Sequence, residues 1–214
     1  MNLNKKSNGF STLLEVIDPD VNHFKALTDE EKIRQIQYHF SKIMQVMGLD
    51  LNDSSLKETP RRVAKMFIKE IFSGLDSANF PKITLFDNIY GYEEMLVEKD
   101  ITLYSYCEHH FVPIIGKVHV AYFPTKKVIG LSKINRLVQF FARKPQVQEK
   151  LTMEIAHALQ DVLKTDDVAV FIEADHLCVA SRGIKDSNSL TKTSYFGGKF
   201  KQTGFRREFL ENIR

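Results

Sequence analysis

Apolar residues recur every three or four positions in several parts of the chain, which predicts amphipathic helices. The first predicted helix begins at the capping box Thr28-Asp29-Glu30-Glu31 and ends at Gly48. The second begins at Thr59-Pro60, a cap followed by proline at the first helical position, and closes near Gly74. We predict two further helices, one behind Ser132 as its N-cap and one after Pro145.

Other parts of the chain alternate apolar and polar residues, which predicts strands. These are Met95–Tyr106, Lys117–Phe123, Val168–Asp175 and Leu190–Tyr195. The order of helices, hairpin, two helices and hairpin predicts an α+β fold with an antiparallel sheet. We expect an N-terminal arm over 1–27, a helical segment over 28–92 and a sheet-containing domain over 93–214.

Composition excludes several classes of protein. The chain has 214 residues, of which 43% are hydrophobic, and 30 basic residues nearly balance 27 acidic ones. That balance argues against a protein that coats nucleic acid, and no apolar run approaches the roughly 18 residues of a membrane helix. Only two cysteines occur, which excludes a disulfide framework and favours a cytoplasmic protein.

Both cysteines lie within two residues of a histidine, in Cys107-Glu108-His109-His110 and in His176-Leu177-Cys178. A thiol and an imidazole at Cys-x-x-His spacing across a turn can reach one tetrahedral zinc. His176 and Cys178 would share one face if the strand continued through them. Two thiolates and one imidazole fill three positions of zinc and leave the fourth for water, as in catalytic sites.

Other interpretations of the same residues stay open. The cysteines could be buried structural residues beside satisfied core histidines, or they could form a disulfide on oxidation. The residues alone do not choose between His109 and His110 as the ligand. Arg62 and Lys65 are typical of a solvated basic helix face, and Gln148 and Glu149 of a polar first helical turn.

Four separated motifs resemble the GTP cyclohydrolase I family. They are TPRRVAKMF, CEHHFVP, GLSKINRLVQFFARKPQVQE and HLCVASRGI, and the resemblance covers residues 28–214. It implies a zinc ion held by Cys107, His110 and Cys178, with zinc-bound water attacking C8 of guanine in GTP. It further implies that His109 and His176 transfer protons as the ring opens, releasing formate and forming dihydroneopterin triphosphate.

The resemblance also assigns the substrate contacts. It implies that Glu149 binds the guanine edge, beside Gln148. It implies phosphate contacts for Ser132, Lys133, Arg136, Arg182, Arg62 and Lys65. Members of the family adopt the tunnelling fold, in which subunits join into rings and two five-membered rings stack as a decamer. Active sites then lie between subunits of this homo-oligomer.

Three rival functions remain at this point. A nitrile reductase of the queuosine pathway shares the tunnelling fold but uses a nucleophilic cysteine and NADPH, without a paired Cys/His zinc set. A noncatalytic zinc-stabilised module would bind nucleotides without releasing formate. In a structural oligomer, zinc would only fasten two hairpins together.

Overall fold

The first helix begins at the capping box that the sequence predicts. In the computed structural model, which describes residues 27–214, the Thr28 hydroxyl accepts from the Glu31 N–H, and the Glu31 carboxylate accepts from the Thr28 N–H. Helix α1 spans Asp29–Val46, and Gly48 follows it at a φ of +79°. The prediction for this helix is confirmed, while all but the last residue of the predicted arm over 1–27 lie outside the described residues.

Helix α2 is shorter than the sequence predicts. It spans Thr59–Met66 with Glu58 as its N-cap, so Thr59 is a helical residue and the predicted cap is wrong. A π-helical turn, Phe67–Ile71, follows it. The helical segment ends at Ile71, and Gly74 lies just beyond it in a 3-10 turn, Ser73–Leu75, where a Cβ would collide with the carbonyl oxygens of Phe140 and Arg143. The chain divides into two units, one ending at Lys69 and the other spanning Glu70–Arg214.

A five-stranded sheet forms the centre of the second unit. Its order is β5-β2-β3-β6-β7, and all its neighbours are antiparallel except the β2–β5 pair. The strands are β2 (Leu96–Cys107), β3 (Pro113–Tyr122), β5 (Pro145–Gln146), β6 (Val168–His176) and β7 (Thr191–Phe196). Two short strands, β1 (Leu85–Asp87) and β4 (Lys127–Ile129), pair separately. The predicted α+β fold class is confirmed.

Helices cover both faces of this sheet. On one face, α3 (Leu131–Ala142) packs on β2 and α4 (Gln148–Leu163) packs on β6 and β7, which buries the main core. On the other face, α6 (Thr203–Asn212) and the preceding 3-10 turn bury Phe200 and Phe209 in a second cluster. Within 27–214, no helix combines the length and the apolarity needed to cross a membrane.

Two local predictions are corrected by the structure. Gly130 is the N-cap of α3, so Ser132 lies inside the first turn and is not the cap. The strand β6 ends at His176, and Cys178 lies in a helical turn, α5 (Leu177–Ala180). The alternation argument that placed His176 and Cys178 on one strand face is therefore wrong.

Candidate metal centre and active site

The sheet topology brings the two Cys/His segments to the same end of the second unit. Strands β2 and β6 both run antiparallel to β3, which lies between them, so their carboxyl ends meet at one end of the sheet. Cys107 is the last residue of β2, and His176, the last residue of β6, pairs with Ile114 near the start of β3. The ends of these two strands are therefore about 10 Å apart, and a short turn can span that distance.

Three ligand atoms converge at this end of the sheet. One sulfur each from Cys107 and Cys178 and one ring nitrogen of His110 all lie within 4.8 Å of one another. Zinc bonds of about 2.1–2.3 Å in tetrahedral geometry place ligand atoms about 3.3–3.8 Å apart, so small side-chain rotations would close the set. Two sulfurs and one imidazole nitrogen are also the donor chemistry that zinc prefers, and this set therefore fits the metal.

A tight turn presents the two neighbouring histidines. The Cys107 carbonyl accepts from the N–H groups of His110 and Phe111, and Phe111 adopts a φ of +53°. His109 Nδ1 lies 3.8 Å from the Cys107 sulfur, but His110 is the imidazole grouped with both sulfurs. His109 is left beside this group, with its side chain 64% exposed.

The chemical environment of Cys178 favours a cation. Burial, followed by the neighbouring Cys107 sulfur, raises the pKa of the Cys178 thiol, because two adjacent thiolates would repel each other. The Arg182 guanidinium acts in the opposite direction, and its Nη1 lies 3.0 Å from His110 Nε2. A bound metal cation would stabilise both thiolates, so this pair is suited to metal ligation.

His176, two residues before Cys178, is held by a contact with α4. Its Nε2 lies 2.8 Å from Oε1 of Gln148, the first residue of that helix. Burial lowers the pKa of His176, while the nearby carboxylates of Glu149 and Asp175 oppose that shift. The imidazole is consequently neutral at neutral pH, and Glu149 is an exposed carboxylate close enough to influence it.

The predicted phosphate contacts do not all lie at this end of the sheet. Arg182 does, through its contact with His110. Ser132, Lys133 and Arg136 lie in the first turns of α3, at the other end of the sheet. Two α3 contacts fix that direction: Asn135 donates to Glu98 near the start of β2, and the carbonyl of Ala142 at the end of α3 accepts from Ser105 near the end of β2. Glu98 and Cys107 are about 30 Å apart along the strand.

Arg62 and Lys65 belong to the first unit. Both lie in α2, where Arg62 is exposed and Lys65 occupies the last turn. They are three positions apart along the helix, so they project from the same side. Their contact with phosphate stays a prediction.

Sequence reasoning missed the residues that surround Gln148. Its amide nitrogen lies 3.1 Å from the Thr193 hydroxyl, and that hydroxyl lies 2.7 Å from the Thr152 hydroxyl. A signal for this cluster exists in the sequence. Gln148 and Thr152 are four residues apart and interrupt the apolar stripe that Leu151 and Ile155 form on α4, and polar residues at core positions need buried partners.

Comparison with known proteins identifies the family. The GTP cyclohydrolase I family model matches residues 36–214. The chain belongs to the GTP cyclohydrolase I family. A relative from Flavobacterium johnsoniae, named GTP cyclohydrolase 1, is 60% identical over 188 residues, covering 88% of this chain and 84% of the relative.

Relatives of the same name come from other bacteria. The protein of Actinobacillus pleuropneumoniae serotype 5b is 59% identical over 177 residues, or 82% of this chain and 81% of the relative. The protein of Aeromonas hydrophila is 56% identical over 190 residues, or 88% of this chain and 87% of the relative. The similarity to members of the GTP cyclohydrolase I family therefore extends over nearly the whole described chain.

Proposed function

We propose that this protein is a zinc-dependent GTP cyclohydrolase. It hydrolyses the guanine imidazole ring of GTP and releases C8 as formate, after which the ribose rearranges and the ring recloses to give 7,8-dihydroneopterin triphosphate. This is the first step of pterin and folate biosynthesis. The observation that carries the proposal is the convergence of Cys107, His110 and Cys178 beside His176. Family membership supports the same reaction and substrate.

Cys107, His110 and Cys178 would hold the metal. Zinc with three protein ligands keeps one position for water and supplies a nucleophile for hydrolysis at neutral pH. Cys107 is almost fully buried at the end of β2, which fixes one ligand rigidly. His110 and Cys178 come from a turn and a helical turn, so they can adjust to complete the set.

His176 and His109 would move protons between the ring nitrogens and water. His176 starts neutral, because burial lowers its pKa, and it can therefore accept a proton as the purine ring opens. His109 is exposed on the adjoining turn, where it can exchange protons with solvent. Two imidazoles of different exposure are suited to successive proton transfers in ring opening and formate release.

Glu149 would recognise the guanine edge. Its carboxylate is exposed in the first turn of α4, on the same side as His176, whose pKa it influences. A carboxylate can accept in parallel from the N1 and N2 hydrogens of guanine, whereas adenine presents no such pair of donors. This contact would select GTP over ATP.

The triphosphate would lie across a boundary between subunits. Ser132, Lys133 and Arg136 are at the far end of the sheet from the metal ligands of their own chain. A neighbouring chain in a ring could bring its own Ser132, Lys133 and Arg136 to the metal ligands of the first. This separation supports a site shared between subunits, with Arg182, Arg62 and Lys65 as further phosphate ligands. The tunnelling fold and a decamer of two five-membered rings, which the family resemblance implies, would provide such a shared site.

The domain division and the location belong to the same proposal. The helical segment over 28–92 would precede a catalytic domain over 93–214 that contains the sheet and the metal ligands. The location would be the cytoplasm, and the two unpaired cysteines support a reducing compartment.

The deciding experiment measures formate released from GTP by the purified, zinc-loaded protein, together with the fluorescence of the oxidised pterin product. We expect stoichiometric formate and pterin from GTP and none from ATP. One zinc per chain without formate would contradict the enzymatic proposal and favour a noncatalytic zinc module.

A complementation experiment tests the site between subunits. Cys178→Ser and Arg136→Ala each disable one half of a shared site, so each homo-oligomer should be inactive. Co-expressed in equal amounts, the two variants should regain about one quarter of wild-type activity, because random assembly pairs an intact metal half with an intact phosphate half that often. Activity no higher than that of the single variants would contradict a shared site.

A further inference from the structure

We infer that Gln148 is a positioning residue, which holds His176 in the tautomer with its proton on Nε2 and leaves Nδ1 as the site of proton transfer. The inference deepens the proposed function and rests on it for its catalytic meaning. It differs from a direct contact between Gln148 and guanine, the role that the family resemblance implies. Four polar contacts of the Gln148 side chain, three at its amide nitrogen and one at its amide oxygen, carry it.

The surroundings of Gln148 determine which way its amide points. The amide nitrogen lies 3.2 Å from the Ile172 carbonyl oxygen and 3.0 Å from the Thr191 carbonyl oxygen. Carbonyl oxygens only accept hydrogen bonds, so the atom facing them must be the donating NH₂ group. The opposite atom, Oε1, can only accept.

The two threonines support the same orientation. The Thr152 hydroxyl donates to the Gln148 backbone carbonyl at 2.8 Å, so in its contact with Thr193 it must accept. The Thr193 hydroxyl therefore donates to the Thr152 hydroxyl, and the Thr193 oxygen remains an acceptor for the Gln148 amide nitrogen. The two hydrogens of the Gln148 amide face three acceptors, so one hydrogen is shared between two of them, and all three acceptors favour the same orientation of the amide.

The tautomer of His176 follows from this orientation. His176 Nε2 lies 2.8 Å from Oε1 of Gln148, and because Oε1 accepts, Nε2 must carry a proton. A neutral imidazole carries one ring proton, so Nδ1 is left with a lone pair. His176 can then take up a proton only at Nδ1, and it keeps the same orientation when it is charged.

Burial makes Gln148 better suited to this task than to binding a ligand. Gln148 is only 1% exposed, and its side chain lies between α4, β6 and β7. Contact with guanine would require the amide to leave four partners and lose their hydrogen bonds. The neighbouring Glu149 is exposed and is therefore the residue of the pair that can reach the base.

Nitrogen NMR of histidine-labelled, metal-free protein tests the tautomer directly, without any enzymatic readout. The His176 signals are assigned by their absence in His176→Ala. We expect Nε2 to show the shift of a protonated ring nitrogen and Nδ1 that of an unprotonated one. In Gln148→Met, this preference should be lost. A proton on Nδ1 in the unchanged protein would overturn the inference, even if Gln148→Met failed to fold.

Kinetics with a matched control separates positioning from substrate binding. Gln148→Met should lower kcat about 10–100-fold, the usual effect of losing a group that orients a functional histidine, with KM for GTP changed less than about threefold. Gln160→Met is the control, because Gln160 likewise links α4 to Tyr195 of β7 but does not contact His176. It should change kcat less than about twofold. A large rise in KM with unchanged kcat would instead indicate that Gln148 binds guanine.

A double variant gives the strictest test. If Gln148 acts only through His176, then His176→Ala with Gln148→Met should retain the same residual kcat as His176→Ala alone, within about twofold. Additive losses would overturn the inference. Absence of formate release by the wild-type protein would refute the proposed function, whereas the NMR result would still decide the tautomer.

Discussion

The two sides of the metal centre differ in how firmly they hold their histidines. His176 is partly buried, and Gln148, itself fixed by two carbonyls and a threonine, accepts from its Nε2. His109 is 64% exposed on the turn after β2, and its neighbour His110 contacts the exposed side chain of Arg182. One side is organised by the core of the subunit, and the other is free to adjust.

This difference suggests how the two sides divide the work. Groups that must be placed before substrate arrives, such as a proton acceptor in one tautomer, belong on the rigid side. Groups that close on a metal or a phosphate belong on the adjustable side, since binding energy can order them. Substitution of His176 or of Gln148, on the rigid side, should therefore alter turnover, while substitutions on the adjustable side should alter binding or be rescued by added ligands.

Loss of a metal ligand should have the largest effect. Cys178→Ser should release zinc and lower kcat at least about 1000-fold, equivalent to about 4 kcal/mol, because the nucleophile depends on the metal. Zinc content and formate release measure this. Cys178 lies in a short helical turn outside the core strands, so the fold should persist by circular dichroism. Unfolding of this variant would favour a purely structural zinc.

The histidines on the two sides should respond differently to truncation. His176→Ala should keep its zinc and lower kcat about 100- to 10,000-fold, the range for a lost acid-base group. His109→Ala should lose less, and added imidazole should restore part of its activity, because the space that it leaves is open to solvent. Equal rescue of both variants would contradict the proposed difference in rigidity.

Recognition of guanine should show an intermediate effect. Glu149→Gln replaces a charged acceptor pair by an amide, so KM for GTP should rise about 10- to 100-fold, which corresponds to about 1.5–3 kcal/mol. Asp161→Asn is the control, since Asp161 is exposed on the same helix but far along it from His176. A KM within twofold of the wild type for Glu149→Gln would contradict its role in base recognition.

Local patterns predicted the elements well, because each depends on nearby residues. The Thr28 capping box, the stop at Gly48 and the four main strands could all be predicted from spacing and turn residues. Thr59 and Ser132 were wrongly placed as caps. Backbone geometry sets the residue that precedes a helix, and the observed N-caps are Glu58, one residue before Thr59, and Gly130, two residues before Ser132.

Contacts between elements were harder to predict. That Ser132, Lys133 and Arg136 lie at the opposite end of the sheet from Cys107 depends on the direction in which α3 crosses β2, and a single helical pattern does not contain that direction. Thr193 was missed for a related reason. A threonine in a polar strand is ordinary, and it gains meaning only when the fold places it against Gln148.

The smallest expected effect concerns His119, a buried histidine away from the metal ligands, which serves as a burial control for His176. It lies in β3, is 1% exposed, and its Nδ1 accepts from the Asp100 N–H. Burial lowers the pKa of His119. The positive charges of Lys117 and Lys99 also lower it, whereas the negative charges of Asp100 and Glu173 raise it. Protonation would also break the bond to the Asp100 N–H.

The sign of the pH effect follows from that shift. An unfolded chain protonates His119 near pH 6.5, whereas the folded chain resists protonation until the pH is lower. The stabilisation from neutral His119 is thus complete above about pH 6.5 and is lost as the pH falls from there through the folded pKa. His119→Asn keeps an acceptor for Asp100 without titrating, so the stability gap between wild type and variant should narrow on acidification. Denaturant unfolding at several pH values measures this difference in the free energy of unfolding. Both proteins share every other titrating group, so a difference that stays constant with pH would show that burial alone does not shift the pKa of a histidine in this sheet.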